Sequence, residues 1–152
     1  MFRHFLIPLL LSLPLAAPAL ADGKIFVPLP DMSDIGRDPV AADLLLRDLY
    51  RAMVLSQNCP GASLSGEEHS LISDGFDLLA YGALNLSTDE VISRYEKPAF
   101  DLVDQPGGCD NEAGLKADVL AVLQQAGGSL TALPDQERGY QDWRALMDQI
   151  RP

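Results

Sequence analysis

Histidine and cysteine are nearly missing from this sequence: His4, His69, Cys59 and Cys109 are all there is of either. Structural zinc draws several ligands from these two residue types, so no zinc site can be assembled. C-x-x-C-H, which would attach haem, does not occur, nor do G-x-G-x-x-G, the Walker loop, H-E-x-x-H, G-x-S-x-G or C-x-x-C. Nothing then names a reaction, a cofactor or a metal, and the chain reads as non-enzymatic. Basic residues are scarce as well: 11 Lys and Arg stand against 22 Asp and Glu, a formal charge of −11. Nucleic acid and anionic lipid both demand clustered cations, so neither is an expected partner.

Long apolar runs are missing too, except at the start. "MFRHFLIPLLLSLPLAAPALA" has Arg3 and His4, an apolar core over residues 5–15, and small residues ending in Ala19-Leu20-Ala21. This is the pattern of a secretory signal peptide cut after Ala21. The core is about half the ~20 residues a membrane helix needs, and Pro8 and Pro14 interrupt it. Residues 1–21 are therefore expected to be removed and the mature chain to be periplasmic, without stable membrane insertion. Cleavage takes Arg3 away, leaving 10 basic against 22 acidic side chains and a formal charge of −12. A basic periplasmic protein would suit that surface; the plainer explanation is solubility alone.

What is there begins with "DQPGGCDNE", residues 104–112. Cys109 could be a nucleophile, a metal ligand or half of a disulfide. Asp110 and Glu112 beside it oppose formation of a thiolate, and no ligand set surrounds it. In an oxidising compartment two cysteines allow a single pairing, Cys59 with Cys109. Closing a loop of about 50 residues stabilises a domain by roughly 4 kcal/mol in the chain-entropy picture.

The organisation predicted is all-α: one small domain of about five helices over residues 38–152, preceded by a short extended arm over 22–37. Pro28 and Pro30 hold the apolar arm extended, laid over the core or awaiting a partner. Asp38 with Pro39 starts the first helix. Val40, Leu44, Leu45, Tyr50, Met53 and Val54 form its expected inward stripe, widened by Leu46, Leu49 and Leu55. Asp43 with Arg47 and Asp48 with Arg51 are expected surface pairs. Ser65-x-x-Glu68 and Ser87-x-x-Glu90 are capping boxes opening the second and third helices. Leu71, Ile72, Phe76 and Leu79 face inward on the second; Val91, Ile92 and Tyr95 do so on the third. Pro98 must kink or restart the third helix, and Phe100, Leu102 and Val103 carry the apolar pattern onward. Asp110 opens the fourth helix, which Gly127-Gly128 ends. After Pro134 the fifth shows Tyr140, Trp143, Leu146, Met147 and Ile150 at amphipathic spacing.

Three features invite a functional reading. His69, Ser73 and Asp77 share one helical face, but side chains stacked along a regular helix cannot converge on a substrate, so they read as a solvated face. Asp101, Asp104, Asp110 and Glu112 surround a glycine-rich turn without the EF-hand spacing; they read as a candidate acidic interaction face, beside the disulfide. Tyr81, Tyr95, Tyr140 and Trp143 read as core.

In size, export signal, helical pattern and one long-loop disulfide the chain is similar to small periplasmic acid-stress chaperones and to helical immunity proteins of secreted cell-wall hydrolases. It shares no motif with either, and no residue is carried over. The expectations are thus a non-enzymatic protein-binding or accessory module first, an acid-stress holdase second and a carboxylate-based hydrolase third.

Overall fold

The computed structural model describes residues 23–110 and 112–151; the expected signal peptide lies outside them. The architecture is all-helical, with six continuous helices, no strand among the described residues and one disulfide. These are α1 (Ser33–Gly36), α2 (Pro39–Asn58), α3 (Gly66–Asp77) running on as a π-helical turn (Leu78–Ala83), a rod made of α4 (Thr88–Val91), a second π-helical turn (Ile92–Glu96) and α5 (Lys97–Val103), then α6 (Glu112–Gln125) and α7 (Gln136–Ile150). Five correspond to the predicted helices; α1 is an added turn inside the stretch predicted as extended.

Helix boundaries follow local chemistry. Asp38 Oδ1 accepts from Val40 N (3.0 Å) and Ala41 N (3.2 Å), with Pro39 at the first helical position. Both capping boxes form: Ser65 N donates to Glu68 Oε2 at 2.9 Å, and Ser87 N to Glu90 Oε2 at 2.9 Å. At the end of α6, Gly127 has φ +97° and donates to Gln124 O (3.0 Å), while Gly128 donates to Leu123 O (3.0 Å). That pair of bonds is the glycine C-cap that satisfies orphan carbonyls. Pro98 falls where the α-helix starts again: the chain widens into a π turn just before it, and Pro98 sits in the first turn of α5. The wider winding accommodates a ring that offers no N–H to the carbonyl one turn back.

Helix α2 is the central element, packed on α1, α3, α5 and α6. Leu45, Leu46 and Leu49 meet Leu71, Ile72, Phe76, Leu79, Val119 and Leu123 in the main core. Val40 and Leu44 do not join it: they are 71% and 58% exposed, because none of the described residues covers that side of the first turns of α2. Of the expected surface pairs Asp43–Arg47 closes, at 2.9 Å; Asp48 and Arg51 form no ion pair, and Arg51 Nε is buried without a hydrogen-bond partner. The disulfide joins Cys59, just beyond α2, to Cys109 in the loop before α6, with Cα atoms 5.6 Å apart. A satellite cluster of Leu55, Val103 and Leu115 packs around it.

The arm lies across the α6–α7 connection. Leu133 N donates to Phe26 O (2.8 Å), Ser129 N to Pro28 O (3.1 Å), and Asp31 N to Ala126 O (2.8 Å). The Gln136 amide grips Phe26 twice, accepting from its N–H (2.8 Å) and donating to its carbonyl (2.9 Å). Phe26, Val27 and Met32 are buried, so the arm's apolar side chains belong to the fold.

Candidate functional site

Asp74 on α3 is the one buried carboxylate among the described residues, 2% exposed. Its Oδ1 accepts from Lys24 Nζ (2.8 Å) on the arm and from Trp143 Nε1 (2.9 Å) on α7. A buried carboxylate needs such partners, since an unpaired one is costly. Lys24 Nζ also lies 4.8 Å from the centre of the Trp143 ring, and Phe26 packs at 5.8 Å from the same ring. Asp74 thus fastens both terminal segments to the core. Beside it the arm, Leu133 and α7 enclose a small apolar crevice of about 190 Å³.

One turn along α3, Asp77 opens onto a different space. A cleft of about 320 Å³ lies between α2, the end of α3, both π-helical turns and Arg151. Its polar groups are Tyr50, Ser73, Asp77, Tyr81, Thr88 and Glu96; Met53, Phe76, Val91 and Ile92 give it an apolar lining. The π turns stand at its edges: one begins directly after Asp77 and the other ends at Glu96. Such turns inside α-helices are found frequently at functional sites. Tyr50 Oη donates to Glu96 Oε2 at 2.7 Å. Burial, then the bond to Glu96, raises the Tyr50 phenol well above its ordinary value. Burial likewise raises Asp77 despite the opposing pull of Arg151, and Tyr81 is raised by burial and by the charge of Asp77. Arg151 Nε donates to Asp77 Oδ2 at 3.1 Å, Nη2 bonds the same oxygen, and the guanidinium lies 5.8 Å from the Trp143 ring.

The residues singled out in the sequence are distributed differently. Ser73 and Asp77 line the cleft together, but Ser73 Oγ donates to Ser70 O (3.3 Å) and Asp77 is engaged by Arg151, while His69 is exposed and lies outside the lining. The three do not converge. Asp101, Asp104 and Asp110 are exposed and Glu112 is half-buried, on α5, the following loop and the start of α6. Among the described residues no group of three or more His, Cys, Asp or Glu is placed to hold a metal ion. The acidic stretch has apolar company: Phe100 and Leu102, flanking Asp101, are 41% and 43% exposed. Tyr95 is buried, its hydroxyl donating to Asp43 Oδ1 at 2.9 Å, and its phenol is pushed up to about 12 by burial and that bond. Tyr81, Tyr140 and Trp143 are half-buried rather than core.

Sequence reading missed Asp74, Glu96 and Arg151. The only signal for the first was its acid among the apolar residues of α3; the other two look like surface charges in any sequence window. Among the described residues no helix is long and apolar enough to cross a membrane. Comparison with protein-family models, with curated proteins and with solved structures gives no match for this chain.

Proposed function

We propose that this protein works outside the cytoplasm, in the periplasm, as a non-enzymatic protein-binding or accessory module. Its docking face is the corner formed by Asp101, Asp104, Asp110 and Glu112. The observation that carries this reading is the exposure of Phe100 and Leu102 among those acids. Apolar anchors give an interface its affinity, while a charged rim steers the partner and sets salt dependence. The disulfide at the base of the corner supports the reading, because a stapled loop loses little freedom on binding. The partner is a basic protein; nucleic acid, with the same charge sign as this surface, is not one. Proteolytic mapping of exported material should find the chain beginning at Asp22.

A photo-crosslinking residue in place of Leu102 tests the face in periplasmic extract, with the same residue at Val40 as control. The expectation is an adduct with a basic protein at position 102, weakening as salt rises because exposed charges are screened within ~8 Å at physiological ionic strength. The reading fails if adducts at 102 are no more abundant than at 40. It fails equally if replacing Asp101, Asp104, Asp110 and Glu112 by their amides leaves the yield and its salt dependence unchanged. The acid-stress holdase is the second reading. It rests on the count of carboxylates, whose environments divide: hydrogen bonds lower Asp31, Asp43 and Glu90, as acid-triggered opening needs, whereas burial raises Asp48 and Asp77. Protonating the latter two in acid favours the fold, opposite to what acid-triggered opening requires. A carboxylate-based hydrolase comes third, with Asp77 and Glu96 as its acids.

A further inference from the structure

The cleft between the two π-helical turns is independent of the acidic corner and carries its own inference. Its volume, about 320 Å³, is at the low end for small-ligand sites, enough for one long side chain. Two carboxylates from separate helices, Asp77 and Glu96, face it, and among the described residues Arg151 is its one cationic side chain. Neither carboxylate is saturated. Arg151 uses Asp77 Oδ2 for both of its bonds, Tyr50 uses Glu96 Oε2, and the second oxygen of each accepts nothing among the described residues. The apolar lining of Met53, Val91 and Ile92 suits a methylene stem. The rings of Tyr50 and Tyr81 suit a planar cation, which is attracted to aromatic faces.

A second, separate observation points to the ligand: the cleft already holds a guanidinium. Arg151 follows the last residue of α7 and is 47% exposed, yet its guanidinium reaches Asp77, a residue 74 positions away. Arg151 is half-exposed while the Asp77 side chain is only 13% exposed, and the desolvation of Asp77 offsets much of the attraction, so the group can be exchanged for another of the same kind. A guanidinium fork matches carboxylate geometry better than an ammonium does.

We propose that this cleft is a receptor site for one arginine side chain of another protein, and that Arg151 is its tethered occupant in the isolated chain. Partner binding then displaces Arg151 from Asp77 and releases the end of α7. An occupied site weakens the apparent affinity by the fraction of molecules in which it is open, so removing the occupant strengthens binding.

The test uses the mature chain and N-acetyl-arginine amide as probe, titrated at low salt and followed by the ring signals of Tyr50 and Tyr81. Arg151→Ala should bind about two- to sixfold tighter than the unaltered protein, the gain expected on removing a weakly held competing occupant. Adding Asp77→Asn to that variant should abolish the gain, and N-acetyl-lysine amide should bind more weakly than the arginine probe. If Arg151→Ala melts early, Arg151→Gln keeps a stem against Trp143 without the charge and carries the same expectation. The proposal is overturned if neither variant binds more tightly than the unaltered chain. It is overturned also if the gain survives Asp77→Asn, or if the norleucine analogue, which has no charge, binds as well as the arginine probe. Crosslinking at Leu102 is unaffected by any of these outcomes, so failure here and failure of the acidic corner are distinguishable.

Discussion

At the scale of single residues the polar groups inside the helices decide more than the surface charges. Ser70 is buried and its Oγ has no hydrogen-bond partner. An unsatisfied buried hydroxyl carries a desolvation cost, so Ser70→Ala should raise stability by about 1 kcal/mol; a thermal melt showing a lowered midpoint would contradict this. Asp43 and Asp77 make an opposed pair. The hydrogen bond from Arg47, helped by those from Tyr95 and Arg94, lowers Asp43 from its ordinary value of 3.8. Its contribution is present above that value and lost as pH falls through the lowered one. Burial raises Asp77, so its contribution is present below 3.8 and lost as pH rises through the raised value. In urea unfolding followed from about pH 3 to pH 7, the stability of Asp43→Asn relative to the unaltered chain should fall with pH, and that of Asp77→Asn should rise. Two trends of the same sign would show that one of the two environments is misassigned.

At the scale of elements, α7 and the arm depend on each other. Gly139 of α7 is buried against Phe26 and Leu133, where an added Cβ would come within 2.9 Å of Phe26 Cβ. Trp143 is the bolt, since it packs on Phe26 and donates to Asp74. Trp143→Ala should cost roughly 3 kcal/mol, the low end for a large aromatic because the ring is only half-buried. Trp143→Phe keeps the packing and loses the donor, so it should cost less, about 1–2 kcal/mol for one bond to a charged group. Amide exchange should show arm and α7 loosening together in Trp143→Ala; loosening of α7 alone would disprove their coupling. The starts of α2, α3 and α4 were legible, because capping chemistry works within four residues: Asp38 with Pro39, Ser65 with Glu68, Ser87 with Glu90. Pro98 announced a disturbance in the third helix without saying that it would take the form of a π turn, since the proline fixes only what cannot be hydrogen-bonded. The π turn after Asp77 had no such marker.

At the scale of the whole molecule the disulfide joins the end of α2 to the entrance of α6. Cys59→Ser should cost roughly 4 kcal/mol, the loop-closure effect of a 50-residue separation, measured as a fall in the denaturant midpoint. A loss below about 1 kcal/mol would mean that helix packing alone holds the two halves together. The pairing itself was determined by the sequence, because two cysteines leave one choice. So were the all-α class, the five main helices, the caps at Asp38, Ser65 and Ser87 and the acidic character of residues 101–112, all properties of composition or of neighbours a few positions apart. Tertiary structure decided which faces are covered and which charges meet. Val40 and Leu44 have the same spacing as the core leucines of α2, yet no helix of the described residues buries them. Lys24 with Asp74, Trp143 with Asp74, and Arg151 with Asp77 span 50, 69 and 74 positions. Burial and pairing depend on what other segments bring to the same point in space, and a pattern read along the chain holds no information about that distance.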